Sequence, residues 1–383
     1  MTIFFHAAAR ADDWRDAVRV VGDRLAADRM GAGRPVGGLG LIYVTEAFGP
    51  HLTDMATTLR ERLGVIQWTG CSGLGLVARD GEIHDGGAVS VLVAPFDGAD
   101  MSPVPTLLDA ERAGQRAVGT WAKANGPVFG IYHADPRNGA VEDIVRALVD
   151  SAPSGAFAVG GLTPLSEKPV QVAGTMAAAG GVSGVMLSGR IPVAVAISQG
   201  CLPVGPTHVV TGARGSIVAE LDHRPALEVL KDDIGEVLAR DLRRIAGYIH
   251  AALPVGGSDT GAYTVRNLVG VDPRAGLIAV GADLAPGDRL MFVRRDPASA
   301  QKDFAERLDE LKKRVAGRTV QGGLYISCVA RGRSMFGDKD GEVRMIKDAL
   351  GDFPLTGFFA NGEICGSRLY GYTGVMTVFL DRA

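Results

Sequence analysis

The run Gly70-Cys71-Ser72-Gly73-Leu74-Gly75, GCSGLG, closes the short apolar stretch VIQWT and admits three readings. A phosphate loop needs G-x-x-x-x-G-K-[ST], and no lysine follows these glycines. The dinucleotide fingerprint G-x-G-x-x-G fails as well, because Gly73-Leu74-Gly75 runs on into LVARDG without its third glycine. A nucleophile elbow needs G-x-S-x-G, and Leu74 stands where its second glycine belongs. What remains is a bend at which backbone comes close to something. Either Gly70, Cys71, Ser72 and Gly73 offer main-chain amides to a small ligand, or the bend lets two sheets pack.

The pattern around this bend recurs. GLGLIYVT, HLTDMATTLRERLG, VIQWTGCSGLG, ARDGEIHDG and GAVSVLVA follow one another as strand, helix, strand, turn and return strand. Leu52, Met55, Leu59 and Leu63 fall on one face of the helical stretch. A second copy reads GPVFGIYHADPRNG, AVEDIVRALVDS, GAFAVGGLTP and AAGGVSGVMLSG; a third reads GGLYISCVARGRSMFG, GEVRMIKDALG, FPLTGFFANGEICG and GYTGVMTVFL. Their bends fall at Gly70-Cys71, Gly160-Gly161 and Gly357-Phe358.

Different material separates copies two and three. HVVTGARGSIVAEL reads as a hairpin, PALEVLKDDIGEVLARDLRRIAGYIHAAL as a long helix, and residues 263–296 as a three-stranded meander. QKDFAERLDELKKRV is an amphipathic helix with Phe304, Leu308, Leu311 and Val315 inward. The expected fold is α/β (α+β), two sheet-based halves with helical cover, divided as a helical lead over 1–35 and domains over 36–221 and 222–383.

The 383 residues carry a net charge of -3, with 46% hydrophobic and 22% charged residues. That balance gives no electrostatic footprint for nucleic acid or an anionic membrane. The four cysteines (Cys71, Cys201, Cys328, Cys365) are far apart, which fits neither a disulfide framework nor a structural zinc site and points to a reducing cytoplasm. Residues 169–189 lack charge and are long enough for a membrane span. Their many glycines favour instead two buried strands joined by a turn.

GCSGLG, GGAVSVLVAPF, AISQGCLPVGPTHVVT, ELDHRPALEVL, CVARGRSMFG and LTGFFANGEI, in this order, resemble the FIST family (F-box and intracellular signal transduction). The resemblance spans nearly the whole chain. It implies a sensory module that binds a small ligand, amino acids being the usual proposal, and some bacterial members are reported to carry haem and respond to nitric oxide. No kinase, cyclase or F-box stretch is evident, so output is expected to pass through a separate, unidentified protein partner.

Cys328-Val329-Ala330-Arg331-Gly332 follows an apolar run and belongs at the carboxyl end of a strand, where open α/β sheets bind ligands. An arginine there can grip a carboxylate with two parallel N–H bonds. In GFFANGEI, Asn361, Gly362 and Glu363 follow another strand, and Glu363 could meet an ammonium group. Arg331 and Glu363 together would suit an amino acid. Gln199, at the end of IPVAVAIS, is a further hydrogen-bonding candidate. For haem the candidate iron ligands are His84 and His133. A hydrolase or transferase using Cys71 or Ser72 is the enzymatic alternative, and no Ser/His/Asp set presents itself for it.

Overall fold

Each repeat builds the centre of a sheet in the same way. In the computed structural model, which describes residues 3–31, 38–165, 171–254, 263–337 and 340–382, Leu39–Thr45 lies parallel to Gln67–Gly73 and antiparallel to Ala88–Ala94. Phe129–Ala134, Phe157–Leu162 and Val182–Leu187 repeat the arrangement. So do Val320–Cys328, Leu355–Ala360 and Gly374–Leu380. The helices Leu52–Leu63, Val141–Asp150 and Gly341–Leu350 provide the crossovers between the parallel strands. Leu52, Met55, Leu59 and Leu63 are all buried, as their spacing requires.

Two components of the repeat were not read from sequence. Each sheet gains a leading strand antiparallel to its return strand: Phe5–Arg10, Met101–Leu107, and Val193–Ser198, of which only the last, in IPVAVAIS, reads as a strand from the sequence. Each also takes its outer hairpin from another repeat. Leu76–Ala78 and Gly81–Ile83 of the first repeat extend the third sheet; Gln171–Ala173 and Met176–Ala178 of the second extend the first sheet. Glu363–Cys365 and Arg368–Tyr370 of the third extend the second sheet. Three six-stranded sheets result, locked by a closed cycle of exchanged hairpins. The charge-free stretch from 169 onward thus supplies short strands from Gln171, and no helix among the described residues is long and apolar enough to cross a membrane.

The chain divides into two compact units, residues 1–198 with 305–383, and residues 199–304. The third repeat falls in the larger unit because it shares sheets with the first two. The smaller unit lies in sequence between the leading strand of repeat three and the helix Pro297–Arg314. Its strands His208–Arg214, Ile217–Leu221, Leu277–Val280, Tyr263–Asp272, Ile249–Pro254 and Arg289–Arg294 pair in that order, and the last returns to the first. The ring surrounds Val210, Val218, Ile278 and Phe292, against which Leu227 and Leu230 pack from the helix Ala226–Ile234.

Two expectations need correcting here. The long helix over 225–253 ends at Ile234; Gly235 and Gly247 take positive φ (78° and 73°), a turn of helix follows each side of Arg240, and Ile249–Pro254 is a strand. The meander is incomplete, since Arg289–Arg294 pairs with Ile249–Pro254 and not with Leu277–Val280.

Candidate functional site

GCSGLG is the point where the chain leaves one sheet for another. A Cβ on Gly70 would stand 1.7 Å from the Ile42 carbonyl oxygen, and one on Gly73 would stand 2.8 Å from the Phe358 Cβ. The equivalent Gly160 and Gly357 approach the Tyr132 and Tyr325 carbonyls as closely, at 1.8 and 1.7 Å. Leu74 donates its amide to the Phe359 carbonyl (3.0 Å), and Phe359 donates back to Gly75 (2.8 Å). Gly70, Cys71, Ser72 and Gly73 are therefore buried strand residues whose close neighbours are the protein's own backbone and Phe358. The expected amide cradle is a crossing between sheets.

The space behind the bend is filled. Tyr43 Oη lies 3.1 Å from His133 Nε2, Thr69 Oγ1 lies 3.4 Å from its Nδ1, and the Phe358 ring stacks on Tyr43 at 5.0 Å. Cys71 and Ile326 share this interior. Burial pushes the His133 pKa down to about 3, so the ring is neutral. A hollow walled by glycine-rimmed strand ends does not exist at this point.

Cys328, Arg331, Gly332, Asn361, Gly362 and Glu363 do gather, at the carboxyl ends of the parallel strands of repeat three and on its hairpin. Arg331 is 1% exposed and its charge is engaged: Nε donates to Glu342 Oε1 at 2.8 Å, and Nη1 donates to Ser198 Oγ at 3.1 Å. Tyr325 and Ser327 also donate to the Glu342 carboxylate, at 2.5 and 2.9 Å. The expected zwitterion trap between Arg331 and Glu363 is thus closed internally by Glu342, which sequence reasoning missed. A signal existed, because Glu342 falls in phase with buried Val343 and Ile346 at the start of an amphipathic helix.

Glu363 is wholly buried. Its Oε2 accepts from the Thr373 amide (3.0 Å) and hydroxyl (2.8 Å), whereas Oε1 has no hydrogen-bond partner. Burial raises its pKa to about 8, against the opposing effects of the Thr373 bonds, the Cys328 thiol and Arg331. Thr163 Oγ1 is also buried without a partner. Glu363 faces Gly161 across the pairing, and two-residue alternation puts Thr163 on that same face. Asn361 and Val329, both exposed, lie on the turns that follow Ala360 and Cys328.

Gln199 belongs to the smaller unit, where its amide donates to the Tyr263 carbonyl. Cys71 is fully buried and its thiol pKa is well above the ordinary value, so it is no nucleophile at neutral pH. Ser72 is buried beneath Gly49. The haem candidates do not fit their group. Both His133 nitrogens face protein atoms in a filled core, and His84 Nε2 lies 3.0 Å from Glu82 Oε2 with its ring 4.7 Å from Phe359. Among the described residues no group of three His, Cys, Asp or Glu side chains could hold a metal ion.

Comparison with known proteins matches residues 38–224 to the FIST N domain and 226–366 to the FIST C domain. An uncharacterized protein of Mycobacterium tuberculosis strain H37Rv is 30% identical over 375 residues, 93% of this chain and 94% of its own length. An uncharacterized protein of Mycobacterium bovis is 30% identical over 362 residues, 90% of each chain. FIST domains are in general sensory and signal-transduction modules. With both domain models matched in order over most of its length, this chain belongs to the FIST family.

Proposed function

We propose that this protein senses a small amine-bearing ligand, an amino acid being the leading candidate, whose ammonium group is received by Glu363. The observation that carries the reading is the orphaned Oε1 of a fully buried carboxyl, with Thr163 Oγ1 orphaned on the same face. An unmatched buried polar atom costs about 1–3 kcal/mol, and an ammonium donor to Glu363 Oε1 relieves that cost. Asn361, exposed beside Glu363, offers amide donors to the carboxylate end of the ligand. Arg331 serves the site by position, its charge held by Glu342. Output passes to a separate protein partner.

The chemistry fixes a sign. With a pKa of about 8, Glu363 is mostly protonated at pH 7, and an ammonium ligand must displace that proton. Affinity therefore rises with pH between 6 and 8, and binding releases a proton to the buffer. Calorimetric titration of amino acids and simple amines in buffers of different ionisation enthalpy measures this directly. Proton uptake, or stabilisation undiminished in Glu363→Gln, overturns the assignment.

A further inference from the structure

The opposite end of the same strands holds a recess. Leu39 pairs with Ala94 and Val320 with Leu380 where these strands begin, and the chain segments beyond them border a half-open recess of about 170 Å³. Its walls are Phe4, Pro95, Phe96, Ile191, Pro192 and Leu380, with Asp97 and Arg382 completing the lining. The volume sets a scale, since a closed apolar cavity of about 150 Å³ accommodates one benzene ring; this recess is half-open, with a lining that mixes apolar walls and charged groups.

The walls are rigid. Phe4, Phe96 and Phe379 form a mutually packed triad with ring centroids 5.5–5.7 Å apart, and the Phe4 ring leaves no space for a Cβ at Gly322 (2.5 Å). Two prolines fix the segments on either side.

Charge at the lining is built around Asp100, which is 4% exposed and serves two guanidinium groups. Arg190 Nε donates to its Oδ1 and Arg382 Nη2 to its Oδ2, each at 2.7 Å. One carboxylate thus faces two positive charges. Asp97 adds a further negative charge, but its Oδ1 already accepts from the Ala99 amide (2.8 Å) and its side chain is exposed to solvent. A guanidinium carries five N–H donors, and the bond to Asp100 takes one of those on Arg382.

We propose that this recess is a second ligand site, separate from Glu363, for a ring-sized apolar carboxylate: the ring between Phe4, Phe96 and Ile191, the carboxylate on Arg382. Benzoate is the probe. Saturation-transfer NMR with the full chain, at up to about 10 mM since so small a ligand has at best modest affinity, should show transfer to the ring protons. Ile191→Trp, which fills the recess, should abolish the signal. Arg382→Gln, which keeps the apolar walls, should weaken benzoate at least tenfold and bring it level with benzyl alcohol. Circular dichroism of both variants separates a lost site from a lost fold, and either folded variant suffices for the test. The proposal is overturned if benzoate gives no transfer, if it binds both folded variants as it binds the parent, or if benzyl alcohol or benzylamine equals it in the parent protein.

Discussion

Arg331 and Glu342 form the costliest single pairing to break among those described. Each is buried, and Tyr325, Ser327 and Ser198 complete the hydrogen bonding around them. Arg331→Ala strands a buried carboxylate, and the expected loss is about 3–5 kcal/mol in urea unfolding. Glu363 works in the other direction. A carboxyl group that titrates near 4.3 when unfolded and about 8 when folded binds its proton more tightly in the native state. Stability therefore falls as pH rises through this window, by up to about 1.4 kcal/mol per unit. Glu363→Gln should flatten that fall in unfolding measured from pH 5 to 8, with no ligand added. Arginine and glutamate were both legible as special residues. That the arginine's partner is Glu342 was not, because their contact depends on the turn of the chain between them.

Among the elements, the exchanged hairpin of repeat one has the clearest energetic role. Glu82 crosses to repeat three, where its Oε1 accepts from the Glu342 and Val343 amides at 2.9 and 3.4 Å. A carboxylate at a helix N-terminus satisfies orphan donors and opposes the helix dipole. Glu82→Ala should speed hydrogen exchange at those two amides while the amides of Leu39–Thr45 stay protected. The order strand, helix, strand and hairpin was readable from apolar periodicity. The hairpins' destination was not: three-residue strands such as Leu76–Ala78 carry too little pattern to name a partner, and pairing is settled by glycines that permit the crossing. Two of the three leading strands escaped for a related reason, whereas VAVAIS was legible as a strand. FHAAAR and MSPVPTL alternate weakly, and two prolines in the latter argue against a strand until it is seen at a sheet edge.

The smaller unit has its own element-scale device. His208 lies between Asp222 (2.6 Å) and Asp233 (2.9 Å), and its pKa is raised: burial opposes its charge, and the two carboxylates outweigh that effect. Its contribution is complete below the unfolded value of about 6.5 and is lost as pH climbs through the higher folded value. His208→Gln should remove this pH dependence from the unfolding of residues 199–304.

For the molecule as a whole, repeats one and two show what repeat three adds. Between leading strand and next helix, the first repeat spends Ala11–Asp13 and the second Leu108–Asp109, whereas the third accommodates residues 199–296. Joining Ser198 to Pro297 through a two- or three-residue linker should leave a soluble protein with the three-sheet core intact, as judged by circular dichroism and a cooperative melt. Failure to fold would mean that residues 199–296 are needed by the core. Sequence reading took two halves joined near Asp222 as the simplest division; compactness follows sheet membership, which joins residues 305–383 to residues 1–198.

The closed cycle of hairpins also sets a timetable for synthesis. The strand Leu76–Ala78 emerges from the ribosome early, but its partner, Leu355–Ala360, follows only after roughly 280 more residues. At about 5–20 residues per second the delay is on the order of 15–55 s. Through that interval one edge of Leu76–Ala78 is held by Gly81–Ile83 of its own hairpin while the other waits unpaired, which makes that edge the natural client of a nascent-chain chaperone. Truncated products ending before residue 355 should accumulate in inclusion bodies.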